Sequence, residues 1–205
     1  MKDLDFFTSV DNMLSETLTV KSLEDLCIEI DEEVTKNKGK YVDNFPLSLA
    51  LGEQGERVVR KFLESLGYTF LSKSEEISHD YKFIKNGKEC MFEIKTDGAH
   101  IRPNKETGEL YETGNMVVEY ESRGKASGIA ATKAEFFITY YPQLNEIWLI
   151  KTEKLKDLIR ENKDTIRKTV GGDSGSNTKM FLLNRERFKK EFRVTNPYKK
   201  DLINS

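Results

Sequence analysis

The sequence predicts a mixed α/β (α+β) fold: a central mixed sheet flanked by helices, with an N-terminal helical appendage. Three features carry that expectation. An apolar pattern of helical period runs up to Gly67 and stops there. The period then switches to that of strands, with Asn86-Gly87, the strongest short-range hairpin signal, between two of them. Strand and helix patterns alternate from there to the C-terminus. With 205 residues, 37% of them hydrophobic, the chain is long enough to bury a core. Residues 1–45 are expected to form an acidic helical appendage and residues 46–205 the main domain, ending in a basic extension.

In chain order, residues 3–17 and 22–36 read as helices, the second opening on Ser22 as its cap. A third helix spans Leu47 to Leu66, with Val59, Phe62, Leu63 and Leu66 on one face and Gly67 as its stop. Strands follow at Tyr68 to Leu71, Asp80 to Ile84 and Glu89 to Lys95. Residues 97–114 read as a polar, glycine-containing loop. Asn115 to Glu121 and Glu135 to Tyr141 are further strands, and Gly124 to Ala134 between them has room for a short helix. Glu146 to Ile150 is a strand feeding a helix over Thr152 to Asn162. Gly171 to Asn177 reads as a mobile loop, followed by a strand from Met180 to Leu183 and a basic helix from Arg185 to Phe192.

Composition excludes several classes. No apolar run approaches the about 18 residues of a membrane span, and the first residues are too acidic for a targeting peptide, so a cytosolic protein is expected. Cys27 and Cys90, with His79 and His100, lack the spacing of a zinc site. The formal charge of −2 argues against a binder that works by bulk positive field. Divided along the chain, it is −6 for residues 1–43, −3 for 44–150 and +7 for 151–205. The C-terminal excess, including Arg185, Arg187, Lys189, Lys190, Arg193, Lys199 and Lys200, is compatible with a polyanionic partner met locally.

Chemistry concentrates on the hairpin. A two-residue turn at Asn86-Gly87 pairs Lys85 with Lys88, and the same register pairs Phe83 with Cys90, Tyr81 with Phe92 and Asp80 with Glu93. Two carboxylates are thereby opposed, with side chains about 5 Å apart on one face and Lys95 diagonal to Asp80. Like charges so placed destabilise a hairpin unless compensated. Lys95 and Lys82 could neutralise them, or a divalent cation with oxygen ligands could, Mg²⁺ being the expected ion. Cys90, Phe92 and Ile94 point the other way, so the polar face is expected to be exposed or functional. Glu56 adds a third acid on the apolar stripe of the preceding helix, with Glu53 one turn earlier. Either glutamate could serve merely as a helix-start charge.

At these residues the chain resembles the PD-(D/E)XK, or restriction-endonuclease-like, nuclease superfamily. Helix-borne Glu56, then Asp80, then Glu93-Ile94-Lys95 match its signature, and the stretch from Gly52 through Gly55-Glu56 to Gly67 is similar to its first core helix. The stretch from Gly114 to Ala134 is similar to phage-encoded nucleases of this group, which raises a bacteriophage origin. His79 stands where the signature has proline, a residue that shapes the turn and carries no chemistry. The resemblance covers about half the chain. It implies a restriction-endonuclease-like αβββαβ core over residues 47–150.

The resemblance also implies a Mg²⁺-dependent (or Mn²⁺-dependent) phosphodiesterase, first of all a DNA endonuclease, with RNA as the alternative substrate. Asp80, Glu93, the carbonyl of Ile94 and Glu56 would hold the metal, and Lys95 would position the attacking water. The Gly-Glu spacing prefers Glu56 to Glu53 for the helix carboxylate. Arg123, Lys125, Ser127 and Lys133 are candidates for phosphate contacts. A homodimer is compatible with cutting both strands. The competing expectation is a catalytically inactive module of the same fold that binds nucleic acid or protein, for example a phage counter-defence factor.

Overall fold

A computed structural model describes residues 45–74, 78–98, 100–172 and 176–197; the expected helices at 3–17 and 22–36, with Lys199 and Lys200, fall outside them. Helix α1 (Phe45–Ser65) forms where the helical period was strongest. Val58, Val59, Phe62 and Leu63 lie on its buried face. It ends at Gly67, whose φ of +81° a side chain would oppose. The Gly67 N–H donates to the Glu64 carbonyl and the Tyr68 N–H to that of Leu63, the paired bonds that close a helix and release the chain into a strand.

The central sheet contains β1 (Thr69–Lys73), β2 (Tyr81–Lys85), β3 (Lys88–Thr96), β8 (Phe136–Tyr141), β9 (Glu146–Lys151) and β12 (Arg193–Thr195), in that spatial order. Only β3 and β8 run parallel, so the sheet is mixed. The β2–β3 register is the one the turn dictates, from Tyr81 opposite Phe92 to Lys85 opposite Lys88. Asn86 and Gly87 at φ of 52° and 74° make a type I′ turn. Cys90, Phe92 and Ile94 enter the core under α1, with Phe83, Ile138 and Leu149.

The connection between parallel β3 and β8 departs from the expected core. Instead of a helix it holds β4 (Ile101–Pro103) and β5 (Leu110–Glu112), which pair as an exposed ribbon within the expected 97–114 loop. Then come β6 (Asn115–Ser122), β7 (Lys125–Ala126) and a 3-10 turn at Gly128–Ala130. β6 does not join the central sheet. With β7, β10 (Arg167–Gly171) and β11 (Thr178–Asn184) it builds a second, antiparallel sheet in the order β10-β11-β6-β7. Five strands lie outside the expected set: β4 and β5 within the expected 97–114 loop, β7 within the expected 124–134 segment, and β10 and β12. β10 is an edge strand of mostly exposed residues and shows no hydrophobic alternation, and β12 is only three residues long.

The outer face of the central sheet is therefore covered. Phe137, Tyr141, Trp148 and Ile150 pack with Met116 and Val118 of β6, Leu183 of β11 and Leu155 of α2 (Thr152–Glu161). Phe188 of α3 (Arg185–Phe188) and Phe192 complete this second core. The expected basic helix to Phe192 is shorter, its second half being a 3-10 turn, Lys189–Glu191.

Gly55 fixes how α1 meets β3. A Cβ there would overlap the Thr96 side chain, so only glycine lets the helix lie this close to the strand's end. Alanine is the better helix former, yet Gly55→Ala is expected to destabilise by about 1–3 kcal/mol through overpacking. Among the described residues Thr96 Oγ1 has no hydrogen-bond partner. The double variant Gly55→Ala/Thr96→Ala should consequently recover most of the loss, measured as urea midpoints.

Candidate active site

The ladder between β2 and β3 stops at Tyr81 and Phe92. Asp80 does not continue it as a strand pair with Glu93. Its N–H donates to the Phe92 carbonyl at 2.9 Å, and its carboxylate turns inward, where Oδ2 accepts the Ile94 N–H at 2.6 Å. The backbone between Glu93 and Lys95 is thus pinned by Asp80, and the two acids are neighbours through a side chain bound to main chain. Glu93 is only 5% accessible because the second sheet covers this face, so of the two expectations for the polar face, exposed or functional, exposure does not hold at Glu93.

Charge is balanced locally. Lys95 Nζ lies 2.9 Å from Glu93 Oε1. Glu56, one residue after Gly55, reaches across the start of β2, where Lys73 Nζ lies 2.7 Å from its Oε2. Glu53 is exposed, and Glu56 is the helix glutamate paired with Lys73; its charge also raises Asp80. Lys82, which the sequence offered with Lys95 as one way to neutralise the acids, pairs with Glu89 at 3.3 Å.

Asp80 bears the strain of this arrangement. Its pKa is pushed up to about 6, first by burial, then by the negative charge of Glu93; Lys95 and the Ile94 N–H oppose the rise. Burial pulls the Lys95 ammonium down, but Glu93 and Asp80 outweigh it and hold its pKa above the ordinary lysine value. Tyr81 is raised by burial and then by Glu56, to which its hydroxyl is hydrogen-bonded. The Asp80 carboxylate thus sits where burial and the neighbouring Glu93 both disfavour its charge.

The candidate phosphate contacts lie on the loop that leads from β6 back to β8. Arg123, Lys125 and Lys133 are exposed. Arg123, at φ of 52°, and Gly124 form the β6–β7 turn. Ser127 differs: its hydroxyl donates to the Glu119 carboxylate. Glu119, on β6, was missed by sequence reasoning. Nothing local signals it, since it belongs to a strand of another sheet and acts on Lys95 only through the fold.

The donor set fits a hard divalent cation by chemistry: Asp80, Glu93 and Glu56 offer carboxylate oxygens, and the raised Asp80 is the acid such a cation would relieve. Each acid is at present held by a lysine or a backbone N–H, and among the described residues no three His, Cys, Asp or Glu side chains are gathered to enclose an ion. No helix among the described residues is long and apolar enough to cross a membrane.

No family model matches the chain, and no curated protein does. Among solved structures it is similar to that of a bacterial homing endonuclease, I-Ssp6803I, at 15% identity and a TM-score of 0.36, over 51% of this chain and 68% of that one. A match this distant says nothing of what the chain does.

The raised pKa of Asp80 predicts a pH-dependent stability. Between about 4 and 6 the folded state keeps a proton that the unfolded state releases, so stability falls as pH rises through this window and stays low above it. In EDTA, Asp80→Asn keeps an acceptor for Ile94 without the charge. It should raise stability by about 2 kcal/mol above pH 6 and by nothing below about pH 4, read from thermal melts across pH 3.5–8.

Proposed function

We propose that the chain is a metal-dependent nuclease that hydrolyses phosphodiester bonds, first of all a DNA endonuclease. What carries this reading is the grouping of Asp80 and Glu93, one of them electrostatically disfavoured as an anion, with Lys95 on the same strand and Glu56 from α1. Neither packing nor solubility has any use for two half-neutralised acids between two sheets. The resemblance of Glu56, Asp80 and Glu93-Ile94-Lys95 to the PD-(D/E)XK signature supports the same reading.

Asp80, Glu93 and the Ile94 carbonyl, with Glu56 directly or through water, are the groups that would hold Mg²⁺ or Mn²⁺. When bound, such a cation supplies Lewis acidity toward a phosphoryl oxygen and a water of lowered pKa. Asp80 fixes the Glu93–Lys95 backbone through Ile94, so the ligands and the lysine keep one geometry. Lys95 orients the attacking water and adds positive charge where the phosphorane-like oxygens develop theirs. Arg123, Lys125 and Lys133, exposed on the β6–β8 loop, would meet the phosphate backbone. Ser127 is engaged by Glu119 and is withdrawn from that role.

The test is cleavage of supercoiled, linear, single-stranded and branched DNA, and of RNA, in Mg²⁺ or Mn²⁺. Glu93→Ala and Lys95→Ala are each expected to lower kcat about 10²–10³-fold or more. Cleavage by Glu93→Ala equal to that by wild type, or none by wild type on any substrate, overturns the reading. Arg123→Ala/Lys125→Ala should raise KM severalfold with kcat nearly unchanged, and flatten the dependence of log KM on log salt by roughly 2.

A further inference from the structure

The outer face of β3 carries polar groups beyond the candidate site. Glu93 and Lys95 stand opposite Phe137 and Thr139 of parallel β8. One more bond continues that ladder, from the Asp97 N–H to the Tyr140 carbonyl at 2.9 Å, and sets Asp97 beside Tyr141. A two-residue step along a strand is about 6.6 Å, so Tyr141 lies that far along the face from the Lys95–Thr139 pair. Tyr141 is buried and holds a guanidinium against its ring. Arg185 Cζ lies 4.5 Å from the ring centroid and 5.9 Å from that of Trp148. His100, also buried, meets the Tyr141 ring edge-on at 5.2 Å.

Arg185 is fixed at both ends. It is the first residue of α3, and its N–H donates to the Gly114 carbonyl at 2.8 Å. Its guanidinium pairs through Nη2 with Oε1 of Glu112. The arginine side chain is 6% accessible, but that of Glu112 is 47%. Glu112 ends β5, and β4 and β5 pair only with each other. The base of this ribbon is held by the Thr113 N–H, which donates to the His100 carbonyl at 2.7 Å. Glu112 can therefore leave Arg185 by rotating one half-exposed side chain while the ribbon stays in place.

The pair is incomplete as a structural tie. Among the described residues Arg185 Nε, the Tyr141 hydroxyl and His100 Nε2 are buried without a hydrogen-bond partner, an arrangement that costs stability. Two of these are donors. His100 Nδ1 lies 2.8 Å from the Asp97 carbonyl, which can only accept, so Nδ1 carries the proton and Nε2 is an acceptor. Glu112 meets the guanidinium at Nη2 and leaves the Nε–H unmet. A phosphate, with oxygens directed to several sides, can take the Nη2 and Nε donors side by side and the Tyr141 hydroxyl as well.

Resting on the nuclease reading, we propose that Arg185 and Tyr141 form a subsite for a nucleic-acid phosphate, next along the face from Lys95, and that Glu112 fills it in the free protein as the phosphate's stand-in. Binding is then an exchange of one anion for another. The buried guanidinium is never left uncompensated, and the acid it releases turns to solvent.

The experiment is fluorescence anisotropy of 3′-labelled single-stranded oligonucleotides, with and without a 5′-phosphate, bound to the full chain in EDTA. Glu112→Gln keeps the shape of the plug without its charge and should tighten binding roughly 5- to 50-fold. Glu109→Gln removes the same charge from an exposed place on the same ribbon and should change binding less than about twofold. Arg185→Lys keeps the positive charge but loses the fork, and in that background the gain from Glu112→Gln should fall below about twofold. Tyr141→Phe, which removes one hydroxyl, should cut the gain by roughly threefold and carries the test should Arg185→Lys fail a thermal melt. A gain confined to the 5′-phosphorylated strand identifies a terminal phosphate, and a gain with both strands a backbone diester; either supports the subsite. No gain, an equal gain from Glu109→Gln, or a gain that survives Arg185→Lys or is untouched by Tyr141→Phe overturns it. Wild type that cleaves DNA while Glu112→Gln changes nothing removes only this inference, whereas a gain that depends on Arg185 in a chain that cleaves no substrate establishes the subsite and removes the nuclease reading.

Discussion

The register of the β2–β3 hairpin is the constraint on which the site depends. Because side chains alternate along a strand, a slip of one residue would turn Glu93 and Lys95 into the core under α1 and push Phe92 and Ile94 out. Asn86 and Gly87 prevent that slip through backbone conformation alone, adopting left-handed φ values that most residues resist. At the other end of the hairpin Asp80 locks the same register by accepting the Ile94 N–H, so one acid is both a functional candidate and a structural pin. Turn and pin hold the strand between them.

That economy has an electrostatic cost. Asp80 and Glu93 share a covered face, and the cost falls on Asp80, whose pKa is raised to about 6. Lys95 and Lys73 pair with Glu93 and Glu56, and among the described residues Asp80 is hydrogen-bonded to the Ile94 N–H, with the Lys95 charge also favouring its anion. With its pKa raised, Asp80 contributes less stability as pH rises through its titration.

The second sheet changes the character of this face. It buries Phe137, Tyr141 and Trp148 on one stretch and leaves a polar seam at Glu93 and Lys95 on the next. The same sheet carries Glu119, whose carboxylate accepts from the Ser127 hydroxyl and whose carbonyl lies against Gly128. The long connection between parallel β3 and β8 carries Glu119 and the exposed basic residues Arg123, Lys125 and Lys133.

Much of this was legible in the chain itself, where the physics is local. The period of α1, its glycine stop, the type I′ turn and the alternation of β3 each depend on a few adjacent residues, and they specify Asp80, Glu93 and Lys95 as neighbours. Glu56 was legible as an acid on an apolar stripe, though not which of two glutamates would reach the strands. Tertiary structure decided what rests on separation in sequence. Gly55 against Thr96 set how closely α1, with Glu56, approaches β3; β6 joined a second sheet rather than the central one; Lys82 found Glu89; and β6 took up a bulge at Tyr120 opposite β11. Local pattern carries the dihedral preference of each segment, but which faces meet is set by the burial of whole sheets, and no window of sequence contains that.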